Sequence, residues 1–186
     1  LTLIDQFLGH DMVSNCLVEI EGYLISSDYS KNLVVFEKST HKFKSLQPTL
    51  QESSTDLVSL LKNGNLFINL CNGKYSMCDL KNNFSVIKNF EKIPDDIKRI
   101  FVNQTNSILV YETKKAKENN IGFFDYLKNE VVHELTIKLC MGVTTTSNGN
   151  YLFCSLNNLI EIDKNDYSEV RNVKIEGLGL MGKFKE

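Results

Sequence analysis

The stretch GNYLFCSLNNLIEIDKNDYSEV, Gly149–Val170, holds two short apolar runs on either side of a polar turn. The first run is Tyr151–Cys154, the turn is Asn157–Asn158, and the second run ends in an acid, Asp163. Two such runs around an Asn-rich turn predict a β-hairpin, and the Lys-Asn-Asp turn that follows predicts a third strand. The same arrangement occurs three more times upstream, so this stretch is one copy of a repeat.

The repeat has a period of about 42 residues. The acids that close the second apolar runs are 42, 46 and 38 residues apart, and they are Glu37, Asp79, Asp125 and Asp163. The middle residues of the first apolar runs are 42, 42 and 44 residues apart, and they are Leu24, Leu66, Ile108 and Leu152. A short apolar strand precedes each pair of runs and another follows it, so each unit is predicted to contain four strands.

Four short strands at this spacing predict an antiparallel meander, which must bury its faces against neighbouring sheets. A period of about 40 to 45 residues with four strands per unit is typical of β-propeller blades. Helical repeats would need a 3.6-residue apolar period, and a β-sandwich would not need a constant period. We therefore predict an all-β chain, a single propeller domain or a fragment of one. The predicted blades are approximately 11–46, 56–88, 97–136 and 140–174, and 178–186 could begin a further blade.

The composition is that of an ordinary globular domain. Of 186 residues, 42% are apolar and 24% are charged, and the net charge of −2 provides no overall attraction to nucleic acid or to an anionic membrane. No apolar run has the length of a membrane span, and no signal-peptide pattern is present. The cysteines form no CxxC pair, which predicts buried reduced thiols in a cytoplasmic or nuclear protein: Cys16, Cys71, Cys78, Cys140 and Cys154.

The first unit, LGHDMVSNCLVEIEGYLISSDYSKNLVVFE, resembles a WD-repeat blade. It opens with Gly9-His10 and ends in LVVFE, where that family usually has a Trp-Asp pair. In the family a buried His, Ser, Asp and Trp form a hydrogen-bonded set within each blade. The resemblance implies that His10 and Ser26 take the His and Ser places, with Phe36 in place of the Trp. Ser30 stands where the Asp is expected. The stretch NGNYLFCSLNN resembles YVTN-type blades, so another propeller family also stays open.

Four blades occupy about 175 residues, whereas propellers with WD-like blades usually close with seven. The chain is therefore expected to be part of a larger propeller or an open propeller. An open propeller would be completed by a strand or blade from a partner, as in some coat and nuclear-pore subunits of this family. A closed four-blade ring is the third arrangement. The two unpaired sheet edges of an open ring would favour partner strands.

Three segments differ between the units, and such deviations commonly carry the binding residues of a repeat protein. They are the link Gln47–Thr55, the link Pro94–Asp96 and an insertion, Glu112–Asn120, between the second and third strands of the third unit. Links between blades and loops between second and third strands lie on one face of a propeller, so the three segments are expected to share one rim. The candidate partner-binding residues are Gln47, Glu52, Pro94, Asp95, Asp96, Lys114, Lys115 and Lys117.

No arrangement of residues in the sequence is typical of a catalytic or metal site. His10, His41 and His133 fall in different predicted contexts, and there is no phosphate-binding Gly loop, nucleophile elbow or HExxH motif. The lysines of the insertion lie between Glu112 and Glu118, which dilute their charge, and no aromatic residue is interleaved, which favours a solvated loop over a nucleic-acid patch. Asp95-Asp96 is typical of a turn. We expect no catalytic residue, no metal and no cofactor.

These observations favour a non-catalytic scaffold subunit of an intracellular multiprotein complex that binds other proteins. A first alternative is a propeller subunit that supports an RNA-modifying or RNA-processing enzyme. The order of units is similar to the non-catalytic WD-repeat subunit of the tRNA guanine-7 methyltransferase, and IPDDIKRI resembles a blade opening in propellers of the cleavage-and-polyadenylation and DNA-damage-binding family. A second alternative is a metal-dependent hydrolase of lactonase type, with acids from Glu19, Asp56, Asp95 and Asp96.

Overall fold

The computed structural model describes residues 14–20, 22–28, 33–44, 58–61, 63–69, 75–79, 82, 84–94, 96–103, 105–115 and 118–175. The chain divides into two compact units, which are Leu1–Asp95 (unit 1) and Asp96–Glu186 (unit 2). Each unit contains two four-stranded antiparallel sheets, which we number blades 1 to 4 in chain order. In every sheet, the strands neighbour one another in sequence order, as a meander requires.

Unit 1 contains blades 1 and 2. Aromatic side chains fill its core: Phe67 is fully buried and its ring lies 5.4 Å from that of Tyr75 and 5.5 Å from that of Phe90. Blade 1 consists of β1 (Ser14–Ile20), β2 (Tyr23–Asp28), β3 (Leu33–Glu37) and β4 (Lys42–Lys44), and blade 2 of β5 (Val58–Leu60), β6 (Leu66–Asn69), β7 (Tyr75–Asp79) and β8 (Ser85–Phe90).

Unit 2 contains blades 3 and 4. Blade 3 consists of β9 (Ile97–Val102), β10 (Ile108–Lys115), β11 (Glu118–Asp125) and β12 (Glu130–Ile137). Blade 4 consists of β13 (Cys140–Thr145), β14 (Tyr151–Ser155), β15 (Asn158–Ile162) and β16 (Glu169–Lys174). The four sheets thus span 14–44, 58–90, 97–137 and 140–174, beside the predicted 11–46, 56–88, 97–136 and 140–174.

The core of unit 2 forms where blades 3 and 4 face one another. Strand β14 alternates buried and half-buried residues, because successive side chains of a strand point to opposite sides of the sheet. Tyr151 and Phe153 are fully buried and contact Phe123 of blade 3, with ring centres 4.9 and 6.1 Å apart. Val110 belongs to the same apolar cluster. The blade 3 side chains that face blade 4 are therefore those in register with Val110 and Phe123.

The segment predicted as an insertion loop, Glu112–Asn120, is mostly strand. Strands β10 and β11 pair along their whole length, with Lys115 opposite Glu118. Lys114 and Lys115 therefore lie in β10, and the prediction that they are loop residues is wrong. The polarity of the segment is misleading, because the backbone hydrogen bonds of a hairpin form whether or not the side chains are apolar. The difference between blade 3 and blade 4 is therefore a longer hairpin, with strands of eight residues instead of five.

The repeated acid is the last residue of the third strand or directly follows it, and in blades 3 and 4 it stabilises the following turn. In blade 3, Asp125 Oδ1 accepts hydrogen bonds from the backbone N–H of Leu127 at 3.0 Å and of Lys128 at 3.2 Å. In blade 4, Asp163 Oδ1 accepts one from the N–H of Asn165 at 2.7 Å. A short acidic side chain that bonds its own backbone two residues later closes a turn. In these two blades the repeat of the acid is explained by turn geometry.

A residue with positive φ precedes the fourth strand of every blade. Asn and His tolerate this left-handed conformation well, whereas aromatic residues rarely adopt it. The same turn geometry therefore recurs in all four blades although the residue type differs, and the residue types alone do not indicate it. The φ angles are 54° at His41, 59° at Phe84, 61° at Asn129 and 60° at Tyr167.

Candidate functional site

One end of unit 2 gathers the segments that differ most from the plain repeat. In blade 3, the start of β9 lies beside the end of β10, because Ile97 pairs with Thr113, and the end of β12 lies at the same place, because Ile137 pairs with Asn119. Lys138 and Leu139 follow directly and join the blades. Together with Cys140 and Met141, the first two residues of β13, they form the segment Lys138–Met141, which we call the link. This end comprises Asp96–Arg99, the paired ends of β10 and β11, and Lys138–Met141. We call it the rim of unit 2.

A buried carboxylate lies beneath the rim. The Glu112 side chain is only 4% exposed, and it faces blade 4 because it pairs with Ile121 of the core cluster. Its Oε1 lies 3.4 Å from Lys98 Nζ and its Oε2 lies 3.7 Å from Arg99 Nε. A buried charge needs such partners, since its desolvation would otherwise cost several kcal/mol. Two cations therefore share one carboxylate, which leaves one positive charge in excess.

Arg99 joins the two blades. Its Nη1 donates a hydrogen bond to the Met141 carbonyl oxygen at 2.7 Å and a longer one to the Cys140 carbonyl oxygen at 3.4 Å. From the other side, the Ser155 hydroxyl donates to the Lys138 carbonyl oxygen at 2.8 Å. The link between blades 3 and 4 is thus held at both ends by side chains, which defines its conformation.

The anchored link presents two large apolar side chains to solvent. Leu139 is 48% exposed and Met141 is 53% exposed. Leu139 also has a φ of 52°, a left-handed conformation that costs a non-glycine residue about 1–3 kcal/mol and that concentrates at functional sites. The fold holds this leucine outward in a strained conformation, instead of burying it in the core.

A cavity of about 220 Å³ lies between the facing sides of blades 3 and 4, next to the link. Arg99 and Glu112 form its polar wall, and the remaining walls are apolar apart from the Cys140 thiol. The residues that line it from blade 3 are Arg99, Ile100, Phe101, Val110, Tyr111, Glu112 and Ile121, and those from blade 4 are Cys140, Gly142, Val143 and Phe153.

The ionisable groups of the cavity are held in unreactive forms. Burial, and then the charge of Glu112, raise the pKa of the Cys140 thiol, so it is protonated near neutral pH and is a poor nucleophile. The Tyr111 hydroxyl lies on the opposite face of the sheet, over Gly122, where burial raises its pKa to about 12 and the Glu134 carboxylate adds to that rise. The Glu112 carboxylate is paired with two cations. The Cys140 thiol is therefore not poised to exchange a proton near neutral pH.

Part of the predicted rim lies in this region. Asp96 is exposed beside the start of β9, Pro94 is half-buried at the end of unit 1, and Lys114 and Lys115 lie at the end of β10. The other four predicted rim residues lie outside the described residues: Gln47, Glu52, Asp95 and Lys117. His10, Ser30 and 176–186, which includes the proposed start of a further blade, are also outside them.

The structural repeat positions of blade 1 have ordinary packing roles. Phe36, predicted in the Trp place, is buried, and its ring lies 5.5 Å from Phe43 and 6.2 Å from His41. Ser26 is half-buried in β2, opposite Val34 of β3. Glu37 ends β3, and its Oε2 accepts a hydrogen bond at 2.7 Å from a neighbouring threonine hydroxyl in the turn.

Sequence reasoning missed the Arg99–Glu112 pair and the exposed link. One signal was available, because the chain has only two arginines among 21 basic residues. Each arginine pairs with a nearly buried glutamate in an inner strand of a sheet. Arg171 Nη2 lies 3.2 Å from Glu161 Oε2, and Arg99 lies beside Glu112. Arginine is favoured at such sites, since its planar fork makes several hydrogen bonds at once.

The four-stranded antiparallel meanders define a fold class, the β-propeller. No protein-family model matches the sequence, and no curated protein matches it. Among solved structures, the chain is similar to the WD40 β-propeller domain of Doa1, with a TM-score of 0.65, 15% identity, and 92% of this chain and 56% of that chain covered. It is also similar to the dihydro-heme d1 dehydrogenase NirN in complex with DHE. There the TM-score is 0.64 and the identity 17%, with 90% of this chain and 39% of that chain covered.

The predicted propeller fold is thereby confirmed. At sequence identities of 15% and 17%, the similarity shows the fold alone. The chain spans 56% of the Doa1 domain and 39% of the NirN chain. In the part of the chain that the structure describes, no helix is long and apolar enough to cross a membrane. No group of three or more His, Cys, Asp or Glu residues that could hold a metal ion is found among those same residues.

Proposed function

We propose that this chain is a non-catalytic protein-interaction module, a WD-repeat-like propeller subunit of an intracellular multiprotein complex, and that it binds a partner protein through the rim of unit 2. The observation that carries the proposal is the pair of exposed apolar side chains, Leu139 and Met141, on a link that Arg99 and Ser155 hold in place. An apolar pair on a rigid segment, surrounded by charged residues, has the character of an interaction surface.

The chemistry of the cavity supports a binding role over a catalytic one. Proton transfer and nucleophilic attack near neutral pH need groups whose pKa lies near 7 or below. The pKa of the Cys140 thiol is instead raised, and the Glu112 carboxylate is paired with Lys98 and Arg99. An arrangement of this kind holds a surface in shape.

The cysteines support an intracellular location. Cys78, Cys140 and Cys154 are free thiols, and Cys78 and Cys140 are buried. Burial raises the pKa of Cys78 to about 12, which keeps it reduced and unreactive. Buried unpaired thiols are typical of proteins from reducing compartments.

The test compares two double variants that remove equally exposed apolar side chains. Leu139→Asn with Met141→Ser removes the apolar pair of the rim, and Asn tolerates the left-handed backbone. The matched control, Val170→Thr with Val173→Thr, changes β16, whose valines are 53% and 43% exposed. Tagged forms of the chain are recovered from cell extract after amine crosslinking, and the crosslinked partners are quantified by mass spectrometry.

We expect the wild type and the β16 variant to retain the same partners, and the rim variant to lose at least one by about ten-fold, as the loss of a central apolar anchor predicts. Crosslinks to that partner should begin at Lys98 and Lys138, which flank the exposed pair. Retention of every partner by the rim variant would refute the assignment to the rim. Hydrolytic activity that Glu112→Gln abolishes would refute a non-catalytic role.

A further inference from the structure

The cavity in unit 2 is large enough to hold a side chain that comes from outside. Its volume of about 220 Å³ exceeds the roughly 150 Å³ of an engineered apolar cavity that binds benzene. Most of its walls are apolar, and Phe101 and Phe153 contribute aromatic rings. An aromatic ring packs favourably edge-to-face against other aromatic rings. The dimensions and the walls therefore fit a six-membered ring.

The cavity is not closed off from the rim. Its lining includes the Arg99 side chain, which is 45% exposed, and Gly142 and Val143, which are only half-buried. The exposed Met141 follows the lining residue Cys140 directly. A segment that packs on the link could therefore insert one side chain beside Arg99, whose guanidinium can also contact an aromatic face.

The charges at this end favour an acidic segment. Lys98 and Arg99 share the buried Glu112 carboxylate, which leaves one positive charge in excess. Lys138 adds a second positive charge and Asp96 offsets one, so these described rim side chains carry a net positive charge. Complementary charge would steer an acidic segment toward the rim.

From the size, the opening and the charge of this site, we propose that the cavity between blades 3 and 4 is an anchor pocket that receives an aromatic side chain from an acidic segment of the partner protein. This inference rests on the proposed function, since it names the kind of segment that the rim binds. It adds a specific pocket, Phe101, Val110, Val143 and Phe153, and a specific electrostatic partner, Arg99.

The probe is a fluorescein-labelled peptide of sequence Asp-Asp-Phe-Asp-Asp, titrated with the full chain and followed by anisotropy. Two matched peptides separate its features: Asp-Asp-Ala-Asp-Asp lacks the ring, and Lys-Lys-Phe-Lys-Lys reverses the charge. We expect the alanine peptide to bind about ten-fold more weakly, and the lysine peptide not to bind. In methyl-labelled protein, the Val110, Ile121 and Val143 signals should shift with the phenylalanine peptide, while those of Ile25 and Val35 in unit 1 should not.

A pair of cysteine variants tests the pocket itself. Cys140→Met places a longer apolar side chain in the cavity, whereas Cys154→Met changes a half-buried cysteine of the same sheet that does not line it. We expect Cys140→Met to erase the difference between the phenylalanine and alanine peptides, and Cys154→Met to preserve it. If thermal unfolding shows that Cys140→Met is not folded, Val110→Leu fills the cavity from the opposite wall and serves instead.

The outcomes separate this inference from the proposed function. Equal binding of the phenylalanine and alanine peptides overturns the anchor pocket, and the proposed function still stands if the rim variant has lost its partner. Loss of the proposed function would appear as a rim variant that keeps every partner. Tighter binding of an oligouridine than of the acidic peptide would overturn the choice of a protein segment as the occupant.

Discussion

Gly122→Ala should destabilise unit 2 sharply, because the ring of Tyr111 occupies the space above Gly122. The two residues are opposite one another on β10 and β11. A Cβ at position 122 would lie 2.5 Å from Tyr111 Cε1, and nearer still to Cζ and the hydroxyl oxygen. Ordinary contact begins at 3.4 Å, so the ring would have to withdraw by about 1 Å or more. Tyr111 is only 2% exposed, so its ring would have to move within a packed environment.

The magnitude follows from overpacking. Extra atoms in a packed core cost about 1–3 kcal/mol, and partial loss of the buried ring adds about 1 kcal/mol or more. Replacing glycine by alanine returns about 0.5–1 kcal/mol through the unfolded chain. We expect a net loss of about 2 kcal/mol in the free energy of unfolding. With a urea slope of about 2 kcal/mol/M, the unfolding midpoint falls by about 1 M.

The assay is urea unfolding followed by far-ultraviolet circular dichroism, because the chain contains no tryptophan to report by fluorescence. The matched control is Gly142→Ala, where an added Cβ meets no atom within 4 Å and φ is ordinary. That variant should be as stable as the wild type or slightly more so. Tyr111→Leu combined with Gly122→Ala should recover part of the loss, as a coupling of about 1 kcal/mol in a double-mutant cycle. Equal midpoints for Gly122→Ala and Gly142→Ala would refute the reasoning.

Three further perturbations address the rim, a turn and the tyrosines. Glu112→Gln removes the carboxylate beside Arg99. It should lower the free energy of unfolding by about 1–3 kcal/mol, which is measured as a lower urea midpoint. Asp125→Ala removes two hydrogen bonds of the β11–β12 turn and should cost about 1–2 kcal/mol, whereas Asp125→Asn should cost less. Because the pKa of Tyr111 is raised to about 12 from about 10 in the unfolded chain, stability should fall as pH rises from about 10 to 12, and Tyr111→Phe should flatten that fall.

Each expectation has its own contradiction. An unchanged midpoint for Glu112→Gln would mean that the ion pair contributes no net stability. Equal losses for the two Asp125 variants would mean that the side-chain oxygen does not close the turn. For the tyrosine, the sign is decisive: the folded chain binds the proton more tightly, so stability that rises with pH above 10, or a pH profile that Tyr111→Phe leaves unchanged, would contradict the raised pKa.

The repeat could be predicted from the sequence because each part of it has a local cause. The alternation of buried and half-buried side chains in strands such as β14 is set by neighbouring residues. The polar turns, and the hydrogen bonds of Asp125 and Asp163 that close them, also involve only a few consecutive residues. The recurring four-strand unit then follows from connection lengths too short for any pairing except neighbour to neighbour. The wrong prediction for Glu112–Asn120 has the same origin, because local polarity predicts a loop although a hairpin can continue through polar residues.

The candidate site could not be predicted in the same way, because it depends on which side chains two sheets bring together. Arg99 and Glu112 are neighbours on paired strands of blade 3, 13 residues apart in the chain. Only the packing of blade 3 on blade 4 brings them to Cys140 and Met141, about 40 residues further on. The lysine cluster can be recognised in the sequence because its charges are close together in the chain. Glu112 lies in the same segment, and nothing in its neighbours indicates that it is buried.

The sequence by itself therefore determined the blade: four strands, a closing acid and a period near 42 residues, all of which follow from local periodicity and turn chemistry. Tertiary structure alone decided that Leu139 faces solvent and that Cys140 lines a cavity. It also decided that Arg99 holds the link between blades 3 and 4. The reason is physical. Alternation tells which residues share a face of a strand, but burial of that face depends on the neighbouring sheet and on the cavity that imperfect packing leaves between the two.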